Sequence, residues 1–339
     1  MNKQTQQPRI VITHRIHDQV IELLEPYGEL IVNQTDRTWP SEVLYKYAKT
    51  CDAMMIFMPD RVDEKLLDAC PNLQLIAGAL KGYDNVEIDL CDSRGICVTN
   101  VPDLLTEPTA ELAVALLLGL IRHVGPGDRY IRGGTFTGWR PTLYGGTLVG
   151  ATVGILGMGA VGQAIARRLQ PFGCSLIYND IRTLNENGQA GRITDYVELP
   201  ELILQADVLV LATPLNDASM HLLDKQNLCK MIRGSYLVNV GRGSVVDERA
   251  VVALLADGHL AGYAADVYEM EDLSRSDRPA TITQGLLDLS DRTLLTPHLG
   301  SAVDAIRLEI EMSAARNIID KLEGSPPRNA INQTRSAIL

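Results

Sequence analysis

The 339-residue sequence predicts an α/β protein of two doubly wound parallel-sheet domains. Length sets the domain count, because a typical domain takes ~150 residues. Strand and helix patterns alternate over the first hundred residues, and a second alternation begins at Thr152. A hydrophobic content of 46% with 22% charged residues excludes disordered, collagen-like and coiled-coil chains.

The elements follow from local pattern. Arg9 to Thr13 is a β-branched run and reads as the first strand. Val20, Ile21, Leu23 and Leu24 have helical spacing within 18–24. Strands are expected at 30–32, 53–57, 75–77 and 96–99, with helices at 41–49, 63–69 and 87–93 between them. Thr106-Glu-Pro-Thr109 opens a helix to about Arg122, with Pro108 in the first turn, where its missing N–H costs little. Gly125 to Gly150, containing Trp139 and Tyr144, reads as an irregular loop, and one of that length needs a functional reason. Further strands are expected at 152–156, 174–178, 208–212, 236–240, 261–265 and 293–295, and a closing amphipathic helix at 301–322.

Lys and Arg total 31 against 42 Asp and Glu, leaving −11, which argues against nucleic acid and anionic membrane as partners. A small anionic substrate then needs a local cationic pocket. The longest apolar run, Leu112 to Ile121, is ten residues where a bilayer span needs ~20, so it is expected to be a buried helix. Met1 to Pro8 is polar and lacks the apolar segment of a signal peptide. Six cysteines are scattered without a C-x-x-C or zinc-ligand spacing, so reduced thiols, a cytoplasmic address and no metal are expected.

The strand at 152–156 runs into Gly157-Met-Gly159-Ala-Val-Gly162, and a helical pattern follows. Gly157 permits the tight turn, Gly159 lets the backbone approach a pyrophosphate, and Gly162 allows close helix–strand packing. The helix N-terminus offers free N–H groups to phosphate. The next strand ends at Asp180, 18 residues beyond Gly162, where an acid can bind ribose hydroxyls and repel a 2′-phosphate. A Rossmann-like domain and NAD are therefore expected. Arg182 is the one nearby group that could hold a 2′-phosphate instead.

Dehydrogenation of a hydroxylated substrate needs a base for the proton and a cation for the anion. Among six histidines, His298 alone sits just past the carboxyl end of a buried strand, in Thr296-Pro-His-Leu-Gly300. Arg242, between two glycines after the strand at 236–240, is a candidate anion clamp. Spacing alone does not choose among Glu269, Glu271 and Asp272 in the acidic stretch after 261–265.

Over about residues 10–325 the chain resembles the D-isomer-specific 2-hydroxyacid dehydrogenase family. The resemblance is carried by Gly82-Tyr-Asp-Asn85, Gly157 to Gly162 with Asp180, Asn239 to Ser244, Ala265 to Glu271 and Thr296 to Gly300. It implies an NAD-binding domain, residues 105–299, inserted into a substrate domain of residues 1–104 and 300–339, in a homodimer. It also implies that Arg242 holds the substrate anion, His298 is the acid/base, Glu271 orients His298, and Asp266 meets the nicotinamide carboxamide. Thr109, Ala160, Val161 and Pro214 join the implied cofactor set.

Within the family the likeness is greatest to members that oxidise phosphite, through Phe57 to Val62, Ala79 to Asn85, Val101 to Thr106, Gly138 to Pro141 with Tyr144, Glu269 to Asp272 and Pro297 to Val303. This implies a substrate set of Met58, Lys81, Gly82, Trp139, Tyr144 and Ser301, and oxidation of phosphite to phosphate. A D-2-hydroxyacid of the lactate, glycerate or glyoxylate type is the alternative substrate. A non-catalytic NAD-sensing role is the remaining class, and intact Arg242, Glu271 and His298 speak against it.

Overall fold

In the computed structural model, which describes residues 7–184 and 194–332, aliphatic and β-branched runs form two separate parallel sheets. The chain divides into a first unit, up to Leu105 and again from Val303, and a second unit, Thr106–Ala302.

The first unit opens with strand β1 (Arg9–Ile12), helix α1 (Asp18–Leu24), β2 (Glu29–Val32), α2 (Ser41–Ala48) and β3 (Ala53–Ile56). It continues with α3 (Glu64–Asp68), β4 (Leu75–Gly78), α4 (Ile88–Ser93) and β5 (Cys97–Thr99). The strands lie in the order β2-β1-β3-β4-β5. Every residue of β3 and β4 is buried, as expected for strands covered on both faces. Cys51, Cys70, Cys91 and Cys97 are part of this packing. Burial pushes the Cys70 and Cys91 thiols up to about 12, so they serve as apolar groups at neutral pH.

The second unit begins with α5 (Thr106–Ile121), whose Ala113, Leu116, Leu117 and Leu120 are buried in the core, and α6 (Val124–Arg132). The sequence reading made α6 part of a loop. Gly125, Pro126 and Gly127 suppress its helical signal, and no residue of α6 is buried, so no apolar periodicity marks it. Next come β6 (Thr152–Leu156), α7 (Ala160–Leu169), β7 (Ser175–Asn179), β8 (Asp195–Tyr196), α8 (Leu199–Gln205) and β9 (Val208–Leu211). The unit ends with α9 (Lys225–Leu228), β10 (Ser235–Asn239), α10 (Glu248–Ala256), β11 (Leu260–Ala265), α11 (Gln284–Asp288) and β12 (Thr293–Leu295). The two-residue β8 was too short to read from pattern.

The seven strands lie in the order β12-β11-β10-β9-β6-β7-β8 and are parallel throughout. The chain therefore winds one way from β6 to β8 and the other way from β9 to β12. The switch lies between β6 and β9, where doubly wound sheets bind ligands at their carboxyl edge. Helix α12 (Asp304–Leu322) returns to the first unit, where Ile310, Ala314, Ala315 and Ile318 join the core.

The unit boundaries fall at 105/106 and 302/303 rather than at 104/105 and 299/300. The shift has a cause in the loop after β12. The Asp266 carboxylate accepts from the backbone N–H groups of Leu299 and Gly300, and Ala302 N–H donates to the Leu299 carbonyl. Ser301 is thereby part of the second unit. Among the described residues, no single helix is long and apolar enough to cross a membrane.

Candidate active site

The carboxyl edge of the second sheet gathers loops from β6, β7, β9, β10, β11 and β12, each held to its neighbour by backbone hydrogen bonds. Gly157 N–H donates to Asn179 O at 2.9 Å, Asp266 N–H to Asn239 O at 3.0 Å, and Thr296 N–H to Ala265 O at 2.9 Å.

The glycine loop is shaped for close approach. Gly157 has φ +93°, and a Cβ there would stand 2.8–2.9 Å from Thr213 and Ala212. A Cβ on Gly162 would meet the Gly157 carbonyl oxygen at 2.1 Å, which explains why α7 can start so close to β6. Gly159 has open space where its Cβ would be, and it caps α7 without a side-chain partner for the first N–H groups. Ala160 and Val161 form that first turn. An uncapped helix start beside open backbone suits a pyrophosphate. Asp180 Oδ2 accepts from Met158 N–H at 2.6 Å and Oδ1 from Arg182 N–H at 2.9 Å, so the acid is fixed against the glycine loop. Thr213 Oγ1 donates to Leu156 O at 2.9 Å and brings the loop bearing Pro214, which is exposed, next to Gly157.

The three polar groups expected of a dehydrogenase stand on the same edge. Asn239 Nδ2 donates to Arg242 O, and Arg242 Nη1 donates to Gly241 O, both at 2.9 Å. Each flanking glycine is required: a Cβ on Gly241 would lie 2.5 Å from Thr213 O, and one on Gly243 1.9 Å from Tyr268 C. The acidic stretch left open by spacing is resolved. Glu271 Oε2 is 2.6 Å from His298 Nδ1, while Oε1 accepts from Tyr268 N–H at 2.9 Å. Asp272 instead accepts from Ser244 N–H at 2.6 Å. Glu269 pairs with Arg275 at 2.6 Å and His221 at 3.0 Å.

His298 has φ +54°, a conformation rare for a residue with a Cβ. Its N–H donates to Asp266 O at 3.0 Å and Thr296 O at 3.1 Å, which holds the turn. Asp266 is buried and carries the loop: its carboxylate accepts from Thr296 Oγ1 at 2.6 Å, Leu299 N–H at 2.7 Å and Gly300 N–H at 2.8 Å. Burial pushes this carboxyl up from its usual range, with those hydrogen bonds working the other way. Thr109 Oγ1 donates to Gly300 O at 3.2 Å, tying α5 to the same loop.

Tyr144 and Trp139 are not gathered here. Tyr144 lines a groove with His123, Arg129, Tyr236 and Arg292. Tyr236 is the second residue of β10 and Arg292 precedes β12, so this groove is at the amino edge, opposite Arg242 and His298 in the same chain. Trp139 is 78% exposed. The resemblance assigns both to the substrate; within one chain, Tyr144 lies at the edge of the sheet opposite Arg242 and His298. The reason is that α6 and the segment after it turn back along the far edge of the sheet.

The first unit carries its own set at the carboxyl edge of its sheet. Met58 follows β3, and Lys81 and Gly82 follow β4, all half-buried. Asn100 Nδ2 donates to Lys81 O at 2.8 Å and Val101 N–H to Leu80 O at 2.8 Å, which fixes the loop. Burial lowers the Lys81 ammonium below the usual lysine range, and Asp103 works against that. A further cation was not singled out from sequence: Arg307 of α12, 5.6 Å from the Phe57 ring centre and 3.5 Å from Ala79 O. It was illegible because a lone arginine on an amphipathic helix reads as solvation.

A doubly wound sheet with this glycine loop, an acid fixed beside it and a Glu–His pair on the same edge defines an oxidoreductase that uses a nicotinamide dinucleotide. The family described as D-isomer specific 2-hydroxyacid dehydrogenase, NAD binding domain, matches residues 114–300. The chain is 35% identical over 331 residues, 96% of each chain, to a glyoxylate reductase of Pyrococcus horikoshii. The crystal structure of TT0316 protein from Thermus thermophilus superposes with TM-score 0.86 at 33% identity, covering 96% of this chain and 100% of that one. An NADPH-dependent glyoxylate/hydroxypyruvate reductase of Sinorhizobium meliloti, solved with NADP and malonate, matches with TM-score 0.81 at 29% identity over 97% and 98% of the two chains. The chain belongs to the D-isomer specific 2-hydroxyacid dehydrogenase family.

Proposed function

We propose that this chain catalyses the NAD-dependent oxidation of phosphite to phosphate, the reaction of phosphonate (phosphite) dehydrogenase. Lys81 carries the choice of substrate. By resemblance, family members that act on carbon acids have a small apolar residue before the glycine of Gly82-Tyr-Asp-Asn85, where backbone N–H groups bind a carboxylate. A half-buried ammonium there, in addition to the Arg242 guanidinium, suits a compact oxyanion with more than one charge.

The roles follow from the groups present. Gly157 to Gly162 would hold the pyrophosphate and Asp180 the adenine ribose, favouring NAD over NADP. When bound, the oxidised dinucleotide supplies the hydride acceptor. Phosphite and water give phosphate, one hydride and one proton. His298 Nε2 takes that proton, while Glu271 accepts from Nδ1–H and so keeps Nε2 unprotonated and basic. By the resemblance, Arg242 and Lys81 are the residues assigned to the anion.

A second reading is turnover of a 2-oxoacid or D-2-hydroxyacid, and it is favoured by the relatives named glyoxylate reductase. On the comparisons alone that reading stands ahead; Lys81 is what puts phosphite first. Formation of NADH with phosphite, D-lactate and D-glycerate, beside consumption of NADH with glyoxylate, separates them. The highest kcat/KM for phosphite supports the first reading. Glyoxylate turnover without phosphite turnover overturns it.

We also propose an isologous homodimer. Val124, Ile131, Phe136, Trp139, Tyr144 and Val149 are each at least half exposed within one stretch of the second unit. Such a patch suits a partner surface, and a second copy is the simplest occupant.

A further inference from the structure

Arg275 belongs to none of the motifs, yet its side chain is only 9% exposed and joins buried Glu269 and Ser244 to the exposed Asp277. Its Nη1 donates to Glu269 Oε2 at 2.6 Å and to Ser244 Oγ at 2.9 Å, and stands 3.3 Å from His221 Nε2. Nε and Nη2 both donate to the Asp277 carboxylate, each at 3.1 Å.

The two partners of Nη1 lead to different parts of the site. Ser244, two residues from Arg242, is held on three sides. Its hydroxyl accepts from Arg275, its N–H donates to Asp272, and its carbonyl accepts from His221 N–H at 2.7 Å. The intervening Gly243 lies directly on the Tyr268–Glu269 backbone. Glu269, in turn, opens the single 3₁₀ turn Glu269–Glu271, and that turn ends on the carboxylate that binds His298. Its own carboxylate is also tied to Glu248 N–H at 3.0 Å.

We propose that Arg275 is a positioning residue that sets the Arg242 turn, through Ser244, and the Glu271–His298 pair, through Glu269, in one fixed arrangement. The inference rests on the roles proposed above for Arg242 and His298. Arg275 touches neither group directly; it fixes the backbone on which each stands. A planar guanidinium fits this use because one nitrogen can serve two oxygens while the others hold Asp277.

A purely structural ion pair would lower thermal stability and weaken all ligands together. A positioning role moves the substrate constants and leaves the pyrophosphate and adenosine part of the dinucleotide site, built on β6 and β7, unchanged, so NAD affinity changes little. The test uses full-length Arg275→Gln, Arg275→Lys and Ser244→Ala, with steady-state constants for phosphite, or for glycolate if the wild type turns over glycolate instead, and calorimetric titration of NAD. Arg275→Gln is expected to raise substrate KM about tenfold and lower kcat, with NAD affinity changed by less than about threefold. Arg275→Lys should recover part of the loss, and Ser244→Ala should raise KM about two- to fivefold.

In an Arg242→Lys background, Arg275→Gln should change KM by less than about twofold, because the clamp it positions is already impaired. Equal weakening of NAD and substrate, or full additivity with Arg242→Lys, overturns the proposal. If Arg275→Gln fails to fold, Ser244→Ala decides, and an unchanged KM overturns it. If Arg242→Lys itself leaves KM unchanged, the reading of Arg242 fails. If Arg242→Lys raises KM and Arg275→Gln does not, only the positioning role fails.

Discussion

Replacing Glu271 by Gln changes one oxygen for an NH2 group, and the geometry leaves the amide no satisfactory orientation. Glu271 serves two donors at once, Tyr268 N–H at 2.9 Å and His298 Nδ1–H at 2.6 Å, one on each oxygen. A glutamine has one acceptor. If its oxygen stays with Tyr268, the NH2 faces Nδ1 and forces the imidazole to carry its proton on Nε2, where it is no longer a base. If the amide turns over, His298 keeps its tautomer but the NH2 opposes Tyr268 N–H, and the 3₁₀ turn loses its cap. Either way a charge-assisted hydrogen bond worth about 1.5–3 kcal/mol is lost, or about 13- to 160-fold in rate. The side chains are 29% and 31% exposed, so water can replace part of the loss, and the lower half of that range is expected. The assay is kcat under saturating NAD with the preferred substrate, beside NAD affinity by titration. His298→Ala, which removes the base itself, should lose more than Glu271→Gln. A Glu271→Gln enzyme with kcat within about threefold of wild type would refute the tautomer argument.

Four further outcomes are expected. Lys81→Ala should raise the phosphite KM by about ten- to a hundredfold, because a charge-assisted contact is worth about 1.5–3 kcal/mol. Burial lowers the Lys81 ammonium, so its charge is lost at a lower pH than that of an ordinary lysine. Substrate KM should then climb on the alkaline side in wild type, and a climb that persists in Lys81→Ala would remove Lys81 as its cause. Asp180→Ala should narrow the preference for NAD over NADP by removing repulsion of the 2′-phosphate, and equal kcat/KM for the two cofactors in wild type would contradict the assignment. Sedimentation at micromolar concentration should show a dimer; a Trp139→Glu/Tyr144→Glu variant should dissociate, and a monomeric wild type would end the dimer reading.

Most of the strand positions and the glycine loop were legible in the sequence because buried parallel strands read as unbroken aliphatic runs, as in Val208–Leu211, and because Gly157, Gly159 and Gly162 answer to backbone geometry rather than to distant contacts. His298 and Arg242 were legible for a related reason: a polar residue directly after a buried strand has little to do there unless it acts. What spacing could not do was separate Glu269, Glu271 and Asp272. All three bind groups brought from elsewhere in the chain: His221 and Arg275, His298, and Ser244 N–H respectively. Only the crossing of β10, β11 and β12 loops decides which carboxylate meets which donor.

The position of Tyr144 was not legible, for the opposite reason. Its segment is irregular, its helix α6 has no buried face, and nothing in Gly125-Pro-Gly127 signals a helix. The direction in which that segment leaves α5 is therefore invisible in the sequence, and the assignment of Trp139 and Tyr144 to the substrate rests on the family resemblance alone. The left-handed His123 at the start of α6 turns the chain there, and Gly146 N–H donates to Ile121 O at 2.9 Å to bring the segment back to the end of α5. That return places Tyr144 beside Tyr236 and Arg292 at the amino edge. An apolar stretch folded back on the far edge of its own sheet, with Trp139 and Tyr144 facing water, is the observation on which the proposed homodimer rests.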